Sequence, residues 1–170
     1  PGISLSAIKL NDHVNKVACQ SCHIPEFARG GISTKILWDW SQATLKLKRD
    51  EAGELVLNEK GAPIPVVEYD DEGHPTYMSQ KGFFEHGENV VPEYYWFDGQ
   101  FEYTLLSDEI DPRQSVSVNR ISGSHDDPDT RIWPFKRMVG KQPYDKKYNR
   151  LLATHVYGPE TKTALWSNYD

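Results

Sequence analysis

Around residues 11–23 the apolar positions recur at helical spacing. Val14, Val17 and Ala18 fall near one side, Asn11 or Asp12 stands where an N-cap belongs, and Pro25 closes the run. The pattern predicts a lead-in followed by one short helix ending near His23. The next run, "KILWDWSQATLKLK" over 35–48, is amphipathic enough for a helix or a strand, and its period does not choose between them. From 44 to 79 apolar and polar residues alternate and are cut by Glu-Ala-Gly, Lys-Gly-Ala-Pro and Glu-Gly-His-Pro, which predicts short strands and turns. In "EYYWFDGQFEYTLL" the Asp98-Gly99 pair predicts a type I′ turn joining two aromatic-rich strands in a hairpin. "SVSVNRIS" at 115–122 reads as a further strand and "GSHDDPDTR" as a loop. Beyond residue 131 Pro and Gly interrupt the chain too often for a long helix, so an extended segment is expected.

No internal repeat or low-complexity linker is evident. The organisation expected is residues 1–34 as a helix bearing a cysteine motif, then 35–170 as strands, turns and coil packing on a larger body. So long an irregular stretch is unusual in a free-standing small domain. Composition agrees with that: 38% hydrophobic residues is lean for a core, while five Trp and nine Tyr argue for a folded chain. A net charge of -6 gives no attraction to nucleic acid or anionic membrane. No stretch approaches the roughly 20 apolar residues of a membrane span, and no signal peptide opens the chain. Pro1 in place of Met is expected from processing, from truncation or from a portion of a longer polypeptide.

The chemistry is concentrated in "VNKVACQSCHIPEFARGG", which holds both cysteines. Coincidence would produce Cys-x-x-Cys-His about once in two thousand such chains. Zinc would need four nitrogen or sulfur ligands, and the motif supplies at most three, with no second Cys pair elsewhere. A thioredoxin-type dithiol would follow a strand in a βαβ pattern, which is missing. Attachment of a c-type haem accounts for every position: Cys19 and Cys22 add to the haem vinyl groups, and His23 becomes the proximal ligand of the iron. Such attachment is made outside the cytoplasm, so a prokaryotic periplasm or cell surface is expected.

The distal ligand stays open. On a continuous helix His13 lies about 120° round from Cys19, pointing away from this haem and towards a neighbouring one; an exposed polar residue near the cap is the plain alternative. His155, in "LLATHVYG", has an apolar setting that suits either a ligand or a buried hydrogen-bonded imidazole. His74, His86 and His125 sit in polar turns and are expected to be solvated. Asp126, Asp127 and Asp129 lack the spacing of a calcium loop.

With these residues in view, the chain resembles the octahaem c-type cytochromes of the tetrathionate reductase family, which are related to the hydroxylamine oxidoreductase group. The resemblance rests on "NDHVNKVACQSCHIPEFARGG", "WDWSQA", "EYDDEGHPTYMSQKG", "GENVVPEYYWFDG", "IWPFKRMVGKQPYD" and "ALWSNYD". It implies a multihaem cytochrome c fold and a periplasmic reductase of tetrathionate or of small nitrogen compounds such as nitrite and hydroxylamine. It also implies a catalytic haem on a Cys-x-x-Cys-Lys motif. Here the fifth position is His23, so this haem is expected to carry electrons while the catalytic haem lies outside the segment, and whether the chain is itself an enzyme stays open. The resemblance further raises His13 and His155 as axial ligands of neighbouring haems. The expected partners are the remaining haem-bearing part of the same protein, a homo-oligomeric copy, and redox-partner cytochromes or quinol-linked donors. Lys141 or Arg137 could line a channel for an anionic substrate, although ordinary surface residues are the simpler reading. The rival functions are a stand-alone monohaem carrier and a subunit of a conductive multihaem assembly docking through the aromatic run Tyr94–Tyr103.

Overall fold

The computed structural model describes residues 4–153, 155, 163 and 164. In chain order its elements are helix α1 (Leu5–Lys16), helix α2 (Cys19–His23), β1 (Thr34–Asp39), a 3-10 turn (Trp40–Gln42), β2 (Val67–Tyr69), β3 (Pro75–Met78) and β4 (Gly82–Gly87). There follow β5 (Glu93–Phe97), β6 (Phe101–Tyr103), β7 (Asn119–Ile121), β8 (Arg131–Phe135), β9 (Val139–Lys141), β10 (Tyr144–Asp145) and β11 (Arg150–Leu151). They fall into two compact units: residues 1–34, 87–104 and 116–137 form one, and 35–86, 105–115 and 138–170 the other.

In the first unit the helix expected near residue 11 begins earlier and is broken. Ser4, not Asn11 or Asp12, is the N-cap, its hydroxyl accepting the Ala7 amide at 3.2 Å. The helix stops where Val17 turns extended, and Val17 forms a parallel bridge to Ile132. The Ala18 amide then donates to the Ile132 carbonyl at 3.0 Å, and α2 starts afresh at Cys19. A backbone partner more than a hundred residues away takes the Ala18 amide that a continuous helix would have used, while the Val17 amide still donates to the His13 carbonyl.

The Asp98-Gly99 expectation is corrected in the same way. Gly99 does have φ +92, and the Asp98 carboxylate accepts the Gln100 amide at 2.8 Å. Yet Asp98 keeps a negative φ, so the turn is not type I′, and the flanking strands do not pair with each other. β5 pairs antiparallel with β8, Tyr95 opposite Trp133, and β6 pairs antiparallel with β7. Aromatic packing supports the β5–β8 pairing, Phe97 standing edge-on to Trp133 and Phe135 at 6.0 and 5.4 Å, while its ring also meets Phe101 of β6 at 4.8 Å.

The second unit is built on a five-stranded sheet in the order β2-β3-β4-β1-β9. The ambiguous 35–48 run proves to be strand β1, the 3-10 turn and an extended continuation. β1 pairs parallel with β9, which sets Lys141 beside Asp39. The buried Asp39 carboxylate accepts from the Ser41 amide at 2.9 Å, from its hydroxyl, and from Lys141 Nζ at 3.0 Å. Stacked Trp38 and Trp40, with ring centroids 4.7 Å apart, lie beside buried Phe84.

Between Thr44 and Pro75 the structure reveals a repetition that the sequence reading missed. Asp50, Asn58 and Asp70 each open a turn in which the residue's own amide donates to the carbonyl four positions on. In each, the residue's side-chain oxygen accepts the amide of that same fourth residue, at 2.9, 3.0 and 2.7 Å. Gly53, Gly61 and Gly73 take the left-handed conformation in the three turns, with φ +84, +75 and +85. The spacings of eight and twelve residues are too unequal for a periodic signal.

Buried apolar side chains are few. Among the described residues Ala18, Phe84 and Ala164 form this class, while Leu5, Leu10, Val91 and Leu105 are all more than half exposed. Lean composition has become a thin core.

Candidate functional site

The cysteine motif occupies the whole of α2. Cys19, Cys22 and His23 are spaced i, i+3 and i+4, which places them on one helical face, and all three are exposed. The opposite side is fastened down. Ser21 donates its hydroxyl to the Ile132 carbonyl at 2.6 Å, and Ala18, 4% exposed, packs beneath the start of the helix. Both thiols are free rather than paired in a disulfide.

This donor set fits a c-type haem: two reactive thiols and one imidazole share an open face on a helix anchored from behind. Tethered from below, the helix presents them without contributing bulk above. The thiols would hold the porphyrin edge and His23 would ligate the iron.

The helix break alters the reading of His13. His13 lies on α1, exposed, and its carbonyl accepts the Val17 amide at 2.8 Å. The 120° offset from Cys19 assumed an uninterrupted helix, so it no longer describes the relation between the two residues. His155 is exposed rather than set in an apolar environment, its Nδ1 lying 3.3 Å from Thr163 Oγ1. The structure therefore brings Cys19, Cys22 and His23 onto one helical face, and His13 and His155 are each exposed.

Two other histidines depart from the expectation of solvated turns. His86 is on β4, half-buried, and stacks on half-buried His74 with ring centroids 5.8 Å apart. Burial pushes the His86 imidazole below its ordinary value, with the charges of Lys35 and His74 acting in the same direction. His125 is exposed as expected, its Nδ1 3.0 Å from Asp126 Oδ1. Asp127 accepts the Asp129 amide at 2.9 Å, an ordinary turn contact. Arg137 and Lys141 are engaged in ion pairs, Arg137 with Glu93 at 2.7 Å and Lys141 with Asp39. The sequence reading missed the anchoring role of Ser21 and the meeting of His74 with His86; strand register on either side of Lys81-Gly82 was the signal that could have revealed the latter.

No helix among the described residues is long and apolar enough to cross a membrane. Comparison with known proteins gives a family. A family model described as bacterial cytochrome c matches residues 35–170. The crystal structure of octaheme cytochrome c from Shewanella oneidensis is similar to this chain at 33% identity and a TM-score of 0.75. That likeness covers 97% of this chain and 33% of the octaheme protein, so the chain spans about a third of the length of its relative. No curated protein matches the chain significantly. The chain thus belongs to the bacterial cytochrome c family, has the fold of a segment of an octahaem c-type cytochrome, and takes covalently bound haem c as its cofactor.

Proposed function

We propose that this chain is an electron-transfer segment of a periplasmic or extracellular multihaem oxidoreductase. The observation that carries the reading is the shared open face of Cys19, Cys22 and His23 on α2, in a chain that spans a third of an octaheme relative. The haem supplies reversible one-electron iron chemistry when bound. The chain's own residues hold and orient it: Cys19 and Cys22 by thioether bonds, His23 by its imidazole, and Ser21 by locking the helix to β8. A second histidine at the iron would leave no position for substrate, and His13 and His155 are the candidates for axial ligation within the haem array.

The thin core and the exposed apolar residues of α1 support a chain that packs on the remaining haem-bearing part of one protein. Reduction of tetrathionate, nitrite or hydroxylamine would take place at a catalytic haem outside these residues. A homo-oligomer supplied by cytochrome or quinol-linked donors completes the reading.

Proteolysis and mass spectrometry of the full-length holoprotein test it. The peptide containing Cys19 and Cys22 should carry one haem through both thiols, and cyanide should leave at least this low-spin haem unperturbed. A peptide without haem, or cyanide binding at every haem of the protein, overturns the proposal.

A further inference from the structure

The third of the repeated turns differs from the other two in what it displays. At the first, fourth-on pair of positions the earlier turns carry Asp50 with Glu54 and Asn58 with Ala62; the third carries Asp70 with His74. In the third turn one oxygen of Asp70 does the capping seen in the others, accepting the His74 amide at 2.7 Å. Its second oxygen lies 3.3 Å from His74 Nδ1. Glu72 completes a group in which one ligand atom from each of Asp70, Glu72 and His74 lies within 4.8 Å of the others.

A second histidine reaches the same place from another strand. β3 and β4 pair with Tyr77 opposite Phe83, and continuing that register by three residues sets His74 opposite His86. Their rings lie 5.8 Å apart, centre to centre. Two imidazoles bound tetrahedrally to one zinc ion have ring centres about 5 Å apart, close to the separation here, and His86, which stands outside the 4.8 Å group, would move towards it to share an ion. His86 Nδ1 is buried and has no hydrogen-bond partner, a cost that an ion or a proton acceptor would relieve.

We propose that His74 and His86, with Asp70 and Glu72, form a binding site for a divalent ion of the zinc class, separate from the haem motif. Mixed imidazole and carboxylate ligands suit zinc and its neighbours among the transition metals, whereas calcium and magnesium prefer oxygen alone. The ion would clamp the Asp70 turn to β4. Lys35 opposes it electrostatically, but its ammonium lies over the faces of Phe84 and Trp38, 3.8 and 4.2 Å from the ring centres.

The test is calorimetric titration of Zn²⁺ alone into chelator-treated full-length holoprotein, comparing wild type with His86→Gln, Glu72→Gln and Asp70→Asn. Asp70→Asn keeps the cap, because Asn58 performs it in the sister turn, and Glu72 is exposed, so neither variant threatens the fold. Wild type should bind one Zn²⁺ that His86→Gln loses and that the two carboxylate variants bind at least about tenfold more weakly. Equal zinc stoichiometry and affinity in wild type and all three variants overturns the proposal. So does conversion of a low-spin haem to high-spin in His86→Gln before zinc is added, which would make His86 a haem ligand instead.

Discussion

Ser21, in the middle of the Cys-x-x-Cys-His motif, donates its hydroxyl to the carbonyl of Ile132 on β8 at 2.6 Å. The same carbonyl accepts the Ala18 amide at 3.0 Å, so one peptide oxygen fixes both the start and the back of α2. Ser21→Ala removes one bond and leaves the other. The expected cost is about 1 kcal/mol of stability with no loss of bound haem. Thermal unfolding of the holoprotein read beside its haem absorbance checks both halves.

Loss of either thiol should be graded rather than total. In Cys22→Ser the haem keeps one thioether to Cys19 and the imidazole of His23, which share the same face. The variant should retain haem but show the red-shifted pyridine haemochrome band of a singly attached porphyrin. An unshifted band would mean that Cys22 forms no thioether.

Two glycines should respond differently to the same change. Gly53 and Gly82 both have φ +84, so alanine is strained at either, by about 1–2 kcal/mol. At Gly53 the added Cβ meets nothing within 4 Å, whereas at Gly82 it overlaps the Asp39 carbonyl oxygen and lies 3.1 Å from the carbonyl carbon. Gly82→Ala should therefore be the more destabilising by at least a further 1 kcal/mol or so, as chemical denaturation would measure.

Asp39 should make the second unit labile to acid. Its carboxyl is held well below the usual range, first by the Ser41 hydroxyl and also by Gln42, Lys141 and the Ser41 amide, against the opposing effect of burial. A depressed native value means that the unfolded chain binds the proton more tightly, so stability rises with pH. The contribution is fully present above the ordinary carboxylate value near 4 and is lost as pH falls from there towards the native value. Asp39→Asn should be less stable at neutral pH and should lose part of the decline seen between about pH 4 and 2. Urea unfolding across that window tests the sign.

How much of this was legible before the fold depended on the distance over which each feature is decided. Cys19, Cys22 and His23 could be proposed as a haem-attachment set because thioether attachment needs only a short spacing and a neighbouring imidazole, all contained in five residues. The left-handed Gly99 and the capping Asp98 were equally local, although the bend they make is not the type I′ turn expected. What that turn joins was not local: Phe97 and Tyr95 find Trp133 and Phe135 on β8, so the apparent hairpin partners separate.

The histidines show the same division. His74 and His86 looked solvated because each stands among polar neighbours, and antiparallel register alone brings them face to face. His13 was placed by helical counting, and the count failed because Val17 turns extended beside Ile132, whose carbonyl takes the Ala18 amide. By itself the sequence determined the spacing of the Cys-x-x-Cys-His motif and where glycine-bearing turns fall, since both are consequences of neighbouring residues. Only tertiary structure decided where α1 breaks, which strands pair and which imidazoles meet, because each of those outcomes is a competition for backbone and ring partners far apart in the chain.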